Sequence, residues 1–308
     1  MAKFIIRRLA IFPFVLLLAN FLGFAYAYYL GPVQAARNPY GFIGGELQPI
    51  IPQYIQYLKN ALQFDLGTMP QGELITTAVM RACLVSFGLL ALALIASILV
   101  GLPLGLNAVR GNPPRVSTWL TAIVSVGLAS PSYYIGVLLI AVSVVYLIWG
   151  PGSGPLVPFQ GYGWDMHLVL PTLALAFLPT VKIAQITSGM LVEEMGKQYV
   201  VAARSFGHTQ RSIHNRIAFR NILAAVVITI AASLRMMVAE LIIIERLFGW
   251  PGFGRLLAST IVLEPSGGTF LLPPLVAAML TVLAAFFLMT DLVAGVLVRF
   301  FDPRQVEA

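Results

Sequence analysis

Apolar and polar residues alternate in long blocks along this chain, and the blocks predict membrane-spanning helices. Six apolar runs with few charged residues are separated by polar segments. About 20 apolar residues in a helix cross a bilayer core of about 30 Å. The sequence therefore predicts an all-α membrane protein, a single transmembrane domain over residues 1–308. Its six transmembrane helices are expected at 9–30, 82–106, 116–149, 166–190, 222–244 and 270–298.

The first apolar run follows a basic start at residues 1–8, an arrangement that signal peptides share. A signal peptide has an apolar core of about 7–15 residues, whereas residues 9–30 carry no charge at all. We therefore expect an uncleaved first span. The proline-rich segment 31–80 has no long apolar run, and we expect it to be external, with a short surface helix near 50–63.

The apolar run at 116–149 is long for one span and short for two, and Pro131 divides it. The positive charges decide between these alternatives, because short loops rich in Lys and Arg stay in the cytoplasm. If the run crossed twice, the basic loop at 197–220 would lie outside, and the loop at 150–165, which has no Lys or Arg, would lie inside. We therefore expect one long span, tilted or bent at Pro131, and cytoplasmic N- and C-termini.

Composition supports a membrane protein and argues against other classes. The chain is 59% hydrophobic and 10% charged, whereas about a quarter of the residues in soluble domains are charged. The basic residues fall at the ends of apolar runs, so we expect contact with membrane lipid and no nucleic-acid partner. No phosphate-binding loop, nucleophile elbow or paired Cys/His spacing occurs. We therefore expect no enzymatic activity, no catalytic residue and no metal or cofactor in this chain.

The polar segment at 193–221 separates the predicted fourth and fifth spans and is rich in arginine. Within it, Ala202 and Ala203 precede Gly207, and Ile217 follows. Two small residues allow a partner surface to approach closely, and glycine permits a turn with positive φ. The segment favours a cytoplasmic helix–turn–helix loop that a partner binds. A basic loop that only fixes the membrane topology is the alternative.

A second pattern follows the predicted fifth span. It reads Glu-x-x-Phe-x-x-Pro-Gly-x-Gly-x-Leu from Glu245 to Leu256. Together with the basic loop, which is similar to the "EAA" loop of importer permeases, it resembles the permease subunits of the dipeptide, oligopeptide and nickel ABC importer family. The resemblance covers nearly the whole chain. Further matches are Asp65-Leu66-Gly67, Pro131-Ser132, Tyr199-Val200, Arg220-Asn221 and Asp302-Pro303-Arg304.

The resemblance implies a type I ABC importer permease fold in the inner membrane of a prokaryote, with an external segment between helices 1 and 2 and a cytoplasmic coupling-helix loop between helices 4 and 5. It also implies partners: a second permease, expected to be a paralogue, two ATPase subunits that bind ATP and Mg, and an external substrate-binding protein. The ATPase-coupling residues would be Tyr199, Ala202, Ala203, Arg204, Phe206, Gly207 and Ile217. The external gate or turn would comprise Glu245, Phe248, Trp250, Pro251, Gly252 and Gly254.

The chain departs from the family pattern at several positions. Val201 stands where the general loop motif has glutamate, as is usual in the peptide branch. Phe206 stands where that branch commonly has lysine, and an aromatic ring there would suit a pocket on the ATPase. Residues 263–268 replace an Asp-x-Pro element. The fifth span carries Arg235 and Glu240 where the family is mostly small and apolar.

Arg235 and Glu240 are the charged residues of the fifth span. A charge at the bilayer centre costs about 2.5–3.5 kcal/mol, so such residues suggest a function. They are about 140° apart around a helix and do not pair well within it. Either one or both line the translocation path and contact the charged termini of a peptide, or their role is structural, with each paired across the subunit interface or with Glu240 close to the outer surface. We expect Asp291 to hold the inner end of the sixth span in place.

Other transport and enzyme classes fit the sequence less well than a peptide importer. An ion-coupled secondary transporter would show inverted repeats, and none is visible. An intramembrane enzyme would need clustered polar groups, and the charged residues of the spans are few and scattered. ABC importers of nickel chelates or glycosides use similar permeases, so the substrate stays open.

Overall fold

A computed structural model of the chain describes residues 2–37, 49–111, 113–150, 154–155, 157–261 and 271–301. Within these ranges six helices are long and apolar enough to cross a membrane. The predicted all-α fold with six membrane spans is confirmed. The motif Asp302-Pro303-Arg304 and the segment 263–268 lie outside the described residues. The six candidate spans are Phe4–Val33, Ile75–Asn107, Ser132–Trp149, Met166–Met195, Ile213–Phe248 and Pro273–Phe300.

The described elements include eleven helices and one short antiparallel strand pair. In chain order they are α1 (Ala2–Arg37), α2 (Ile50–Ala61), α3 (Ile75–Asn107), β1 (Val109–Arg110), β2 (Arg115–Val116), α4 (Thr118–Ala129), α5 (Ser132–Trp149), α6 (Val169–Met195), α7 (Gln198–Ser205), α8 (Gln210–Ser212), α9 (Phe219–Phe248), α10 (Phe253–Ile261) and α11 (Pro273–Phe301). A π-helical segment, Ile213–Ala218, joins α8 to α9.

The chain divides into two compact units, Met1–Phe87 with Pro251–Met289 and Gly88–Trp250 with Thr290–Ala308. In the first unit, α2 is the predicted surface helix, and its tyrosines pack against α1. Asn20 of α1 lies at the centre of a polar network, because its amide nitrogen donates to Tyr57 at 3.0 Å and to Thr281 at 2.9 Å. The Tyr54 hydroxyl donates to the same amide group, to its oxygen, at 3.1 Å. These bonds hold the surface helix against α1 and hold α1 against α11.

In the second unit α6 packs against α4, α5 and α9. Glycines permit two of the close helix contacts of this unit, because small residues let helix backbones approach. A Cβ at Gly127 of α4 would lie 2.7 Å from Val181 Cγ2 of α6, and one at Gly136 of α5 would lie 2.7 Å from Leu247 Cδ2 of α9. The second unit also contains the basic loop and the charged residues of the fifth span.

The predicted third span consists of two helices and not one bent helix, which corrects the expectation for 116–149. Helix α4 ends at Ala129, Ser130 is extended (φ −106°, ψ 111°), and α5 begins at Ser132. Proline has no N–H to donate and disfavours a helical conformation in the residue before it, so Pro131 interrupts the helix. Helix α5 alone, with 18 residues, is long enough to cross a membrane.

Candidate coupling loop and intramembrane charges

The basic loop forms a helix, a glycine turn and a second helix. Gly207 has a φ of +85°, the left-handed region that glycine tolerates best. Its N–H donates to Arg204 O at 2.9 Å, and the N–H of His208 donates to Ala203 O at 3.1 Å. These two bonds close α7 in a Schellman turn. The Thr209 side chain then caps α8, so the turn has defined ends on both sides.

The inner face of the loop is apolar and packs on the ends of α6 and α9. Ala203 is buried there, so only Ala202 of the two predicted small residues is exposed to a partner. Tyr199 and Ile217 are partly buried against the same cluster, and Arg204 is also partly buried. The buried members of this cluster are Val109, Leu191, Met195, Val200, Ala203, Ile213, Ala218, Ile222 and Val226.

The outer face of the loop exposes two large apolar side chains. Val201 is 65% exposed and Phe206 is 82% exposed. Phe206 lies at the C-cap of α7, next to the glycine turn. Both positions are the departures from the family's loop motif described above. Both side chains are therefore available for contact with a partner protein.

Glu194 connects the loop to both neighbouring spans, although no sequence motif singles it out. Its carboxylate is buried, with the residue 6% exposed at the end of α6. Glu194 Oε2 accepts from Lys197 Nζ at 2.5 Å, and Oε1 accepts from the Tyr199 hydroxyl at 2.9 Å and from Asn221 Nδ2 at 2.8 Å. Three donors satisfy a charge that would otherwise be costly to bury. The end of α6, the start of α7 and the start of α9 thus meet at one side chain.

The donors of the Glu194 network keep their protons at neutral pH. Burial and the hydrogen bond to Glu194 raise the pKa of the Tyr199 hydroxyl to about 12. The hydrogen bond to the same carboxylate also raises the pKa of Lys197.

The sequence contains a signal for this network, because Tyr199 and Asn221 both belong to the motif matches. The adjacent pair Glu193-Glu194 leaves open which carboxylate they contact.

The predicted turn after α9 is present, but its large side chains point into the protein. Helix α9 ends in a second Schellman turn, in which Gly249 has a φ of +70° and the Trp250 N–H donates to Glu245 O at 2.8 Å. Glu245, Phe248 and Trp250 are all buried, as are Gly252 and Gly254, while Pro251 is exposed. The aromatic and acidic side chains of the turn are therefore not available on the surface of this chain.

The loop before α6 covers this turn with aromatic rings. The N–H of Gly161 donates to Phe248 O at 2.9 Å. The ring of Trp250 lies 4.9 Å from that of Tyr162 and 6.1 Å from that of Trp164, both edge-to-face. A Cβ at Gly88 would overlap the Trp164 ring, so α3 needs glycine at this contact. The exposed aromatic side chains are thus Tyr162 and Trp164 rather than those of the turn.

Arg235 forms an ion pair with Asp291, which joins α9 to α11. The two residues are 56 positions apart in the chain. The structure therefore supports a structural role for Arg235, although its partner is Asp291 of the same chain and not a residue across a subunit interface. An opposite charge and a hydrogen bond offset part of the cost of placing arginine in a bilayer.

Lys182 and Glu240 have weaker partners within the part of the chain that the structure describes. Lys182 Nζ donates to the Met236 sulfur at 3.1 Å and forms no ion pair there. The Glu240 carboxylate lies beside the N–H and hydroxyl of Ser132, yet its Oε2 makes no hydrogen bond to any described residue. From the sequence, Lys182 is expected near the inner end of its span, without an assigned function.

Comparison with known proteins points to one family. Residues 97–307 match the family model described as binding-protein-dependent transport system inner membrane component. A putative peptide transport system permease protein of Brucella abortus (strain 2308) is 28% identical, with 83% of this chain and 80% of the relative covered. The oligopeptide transport system permease protein AppB of Bacillus subtilis (strain 168) is 25% identical, with 82% of this chain and 80% of the relative covered. The glutathione transport system permease protein GsiC of Escherichia coli (strain K12) is 26% identical, with 83% of this chain and 79% of the relative covered.

Proposed function

Because the chain belongs to the family of binding-protein-dependent transport system inner membrane components, we propose that it forms one half of the membrane path of an ATP-driven peptide importer. It is a multi-pass inner-membrane protein with six candidate spans. Peptide is the proposed cargo, because its relatives are named for peptide, oligopeptide and glutathione transport. Nickel chelates and glycosides have no such support among these relatives.

The proposed assembly contains a second permease, expected to be a paralogue, two ATPase subunits and an external binding protein. ATP and Mg bind to the ATPase subunits, and this chain hydrolyses nothing. The N- and C-termini and the basic loop lie in the cytoplasm, because the loop carries Lys197 and four arginines, more basic residues than any other segment between the spans. The exposed Val201 and Phe206 side chains form the contact with an ATPase subunit.

The Glu194 network is the observation that carries this proposal. A flexible loop would absorb a push from a partner, whereas α7 is fixed to the ends of α6 and α9 by three hydrogen bonds to one carboxylate. The apolar cluster beneath α7 adds a second attachment. When the ATPase subunits close, they displace α7, and α6 and α9 move with it. Packed helices with alternative arrangements turn such a displacement into a change of access.

Co-purification from the native membrane in mild detergent tests the assembly. We expect ATPase chains, a second six-span permease and an external binding protein to remain bound to this chain. The purified complex in proteoliposomes should accumulate peptide only with ATP and Mg. The chain alone, or a homo-oligomer without an ATPase, would contradict the proposal and would favour an ion-coupled secondary transporter.

A further inference from the structure

We propose that Lys182 and Glu240 form a binding site for the two charged ends of a short peptide in transit, with the peptide carboxylate at Lys182 and its ammonium at Glu240. The inference rests on the proposed peptide-import function and assigns residues and ligand groups to it. It differs from the sequence-based hypothesis in the cation, because Arg235 already has a carboxylate partner in Asp291.

Lys182 is an ammonium group without an adequate acceptor. It is part-buried in α6, and its acceptor is the thioether of Met236, 3.1 Å away. An ammonium has three hydrogens to donate, and a thioether is a weak acceptor. No carboxylate of the described residues lies within ion-pair distance of Lys182. A ligand carboxylate would supply the charge and the acceptors that Lys182 lacks.

Glu240 carries the opposite charge, and its carboxylate lacks hydrogen-bond donors. Its Oε2 is enclosed and accepts no hydrogen bond among the residues described. The Ser132 N–H and hydroxyl lie near the carboxylate, and Ser132 Oγ has no hydrogen-bond partner of normal geometry among the described residues. Ser233 Oγ, also fully buried, is a further unsatisfied group of the described residues. Buried polar groups are rarely left without partners unless they serve a ligand, an ion or a water molecule.

The spacing along α9 places these groups on one helix face. Ser233, Met236 and Glu240 are three and four residues apart, the spacing of neighbours on a helix surface. Four residues of helix rise about 6 Å, so Met236, whose sulfur contacts the Lys182 ammonium, lies about one helical turn from Glu240 along α9. That separation suits two residues of extended chain, at about 3.3–3.6 Å each, better than a direct ion pair. The site therefore fits the termini of a dipeptide.

The test measures which peptide termini the membrane step requires. The complete complex, with its binding protein, is reconstituted in proteoliposomes and supplied with di-alanine, N-acetyl-di-alanine or di-alanine amide, each at a concentration that saturates the binding protein. We expect K182M to transport di-alanine at least tenfold more slowly than the wild type does. The variant should also transport di-alanine no faster than it transports di-alanine amide. We expect E240Q to lose the preference for di-alanine over the N-acetyl form in the same way. Each variant should keep its discrimination at the other terminus.

Matched controls separate this site from general effects of charge. K59M and E193Q make the same chemical changes at exposed residues outside the hydrophobic part of the spans and should behave as wild type. If K182M or E240Q does not assemble, the test uses K182R and E240D, which retain the charges. These variants should keep the wild-type preferences for free peptide termini. Loss of these preferences in an assembled complex would contradict the proposed site.

Three outcomes contradict the inference. They are wild-type rates in K182M and E240Q, an equal loss for all three peptides in an assembled complex, and rescue by the exchange K182E/E240K, which would mean that the two side chains pair with each other. Failure of the wild-type complex to transport any peptide would instead refute the peptide cargo of the proposed function.

Discussion

Asn221 Nδ2 donates to Glu194 Oε1 at 2.8 Å and so joins the first turn of α9 to the last turn of α6. Helix α6 precedes the basic loop, which is the proposed coupling loop, and α9 follows it. Lys197 and Tyr199 of that loop bind the same carboxylate. The loop and both helix ends therefore form one rigid unit on the proposed ATPase side.

Removal of the Glu194 carboxylate is expected to uncouple ATP hydrolysis from transport. In E194A, Tyr199 and Asn221 lose their acceptor, and hydrogen bonds to charged groups contribute about 1.5–3 kcal/mol each. We expect at least a tenfold loss of peptide transported per ATP hydrolysed, with basal hydrolysis retained. E194Q should recover part of the loss, since an amide oxygen still accepts from both donors.

Glu193 provides the matched control for this prediction, because it is adjacent, has the same side chain and is exposed. E193A should keep the wild-type ratio of transport to hydrolysis. Equal ratios in E194A and E193A would show that the network does not transmit the displacement.

The glycine turn of the coupling loop is expected to tolerate no side chain without strain. Gly207 has a φ of +85° and open space around it, so any cost of G207A comes from the backbone. A left-handed conformation costs a residue with a Cβ roughly 1–2 kcal/mol. We expect a lower melting temperature of the purified permease and reduced transport. G189A adds the same methyl group in open space on α6 and should be neutral or slightly stabilising.

Phe206 is expected to anchor the ATPase. The central aromatic side chain of an interface often contributes about 2 kcal/mol or more, so F206S should weaken ATPase binding at least tenfold. Titration of the purified permease pair with the ATPase measures this. Phe64 is 84% exposed, close to the 82% of Phe206, but lies in the proposed external segment. F64S should leave ATPase affinity unchanged, and equal effects of both substitutions would argue against a docking role for Phe206.

The Arg235–Asp291 pair is expected to behave as a structural unit. Removal of one partner leaves the other charge unpaired within a membrane span, where a charge costs about 2.5–3.5 kcal/mol. R235Q and D291N should each reduce the amount of folded permease in the membrane. The double variant R235Q/D291N should recover most of it. If R235Q assembles normally and loses transport alone, Arg235 belongs to the translocation path after all.

The contact of Gly88 with Trp164 is expected to limit the size of residue 88. A Cβ there would overlap the indole ring, and overpacking typically costs about 1–3 kcal/mol. We expect G88A to lower the melting temperature and to shift the tryptophan fluorescence. A Cβ at Gly31 of α1 would meet no atom within 4 Å, so G31A is the control and should change neither property.

Several features of the fold can be predicted from the sequence because they depend on local chemistry. Apolar runs of about 20 residues must become spanning helices, since a bilayer offers the backbone no other hydrogen-bond partners. The positive φ at Gly207 and the surface helix at Ile50–Ala61 follow from residue preferences over a few positions. At Pro131 the sequence predicts a bend or a tilt, and the structure shows a complete interruption of the helix.

Contacts between distant residues were decided only by the tertiary structure. The periodicity of a sequence does not show which of Glu193 and Glu194 faces Asn221, or that Arg235 meets Asp291 rather than a ligand. Each pairing depends on the rotation of one helix against another, which many packed side chains determine together. For the same reason Ala203, expected at a partner surface, and Trp250, expected in an external gate or turn, pack into the protein itself. The sequence alone therefore determined the spans, the loop and its turn, and the packing of the helices determined which side chains are available for function.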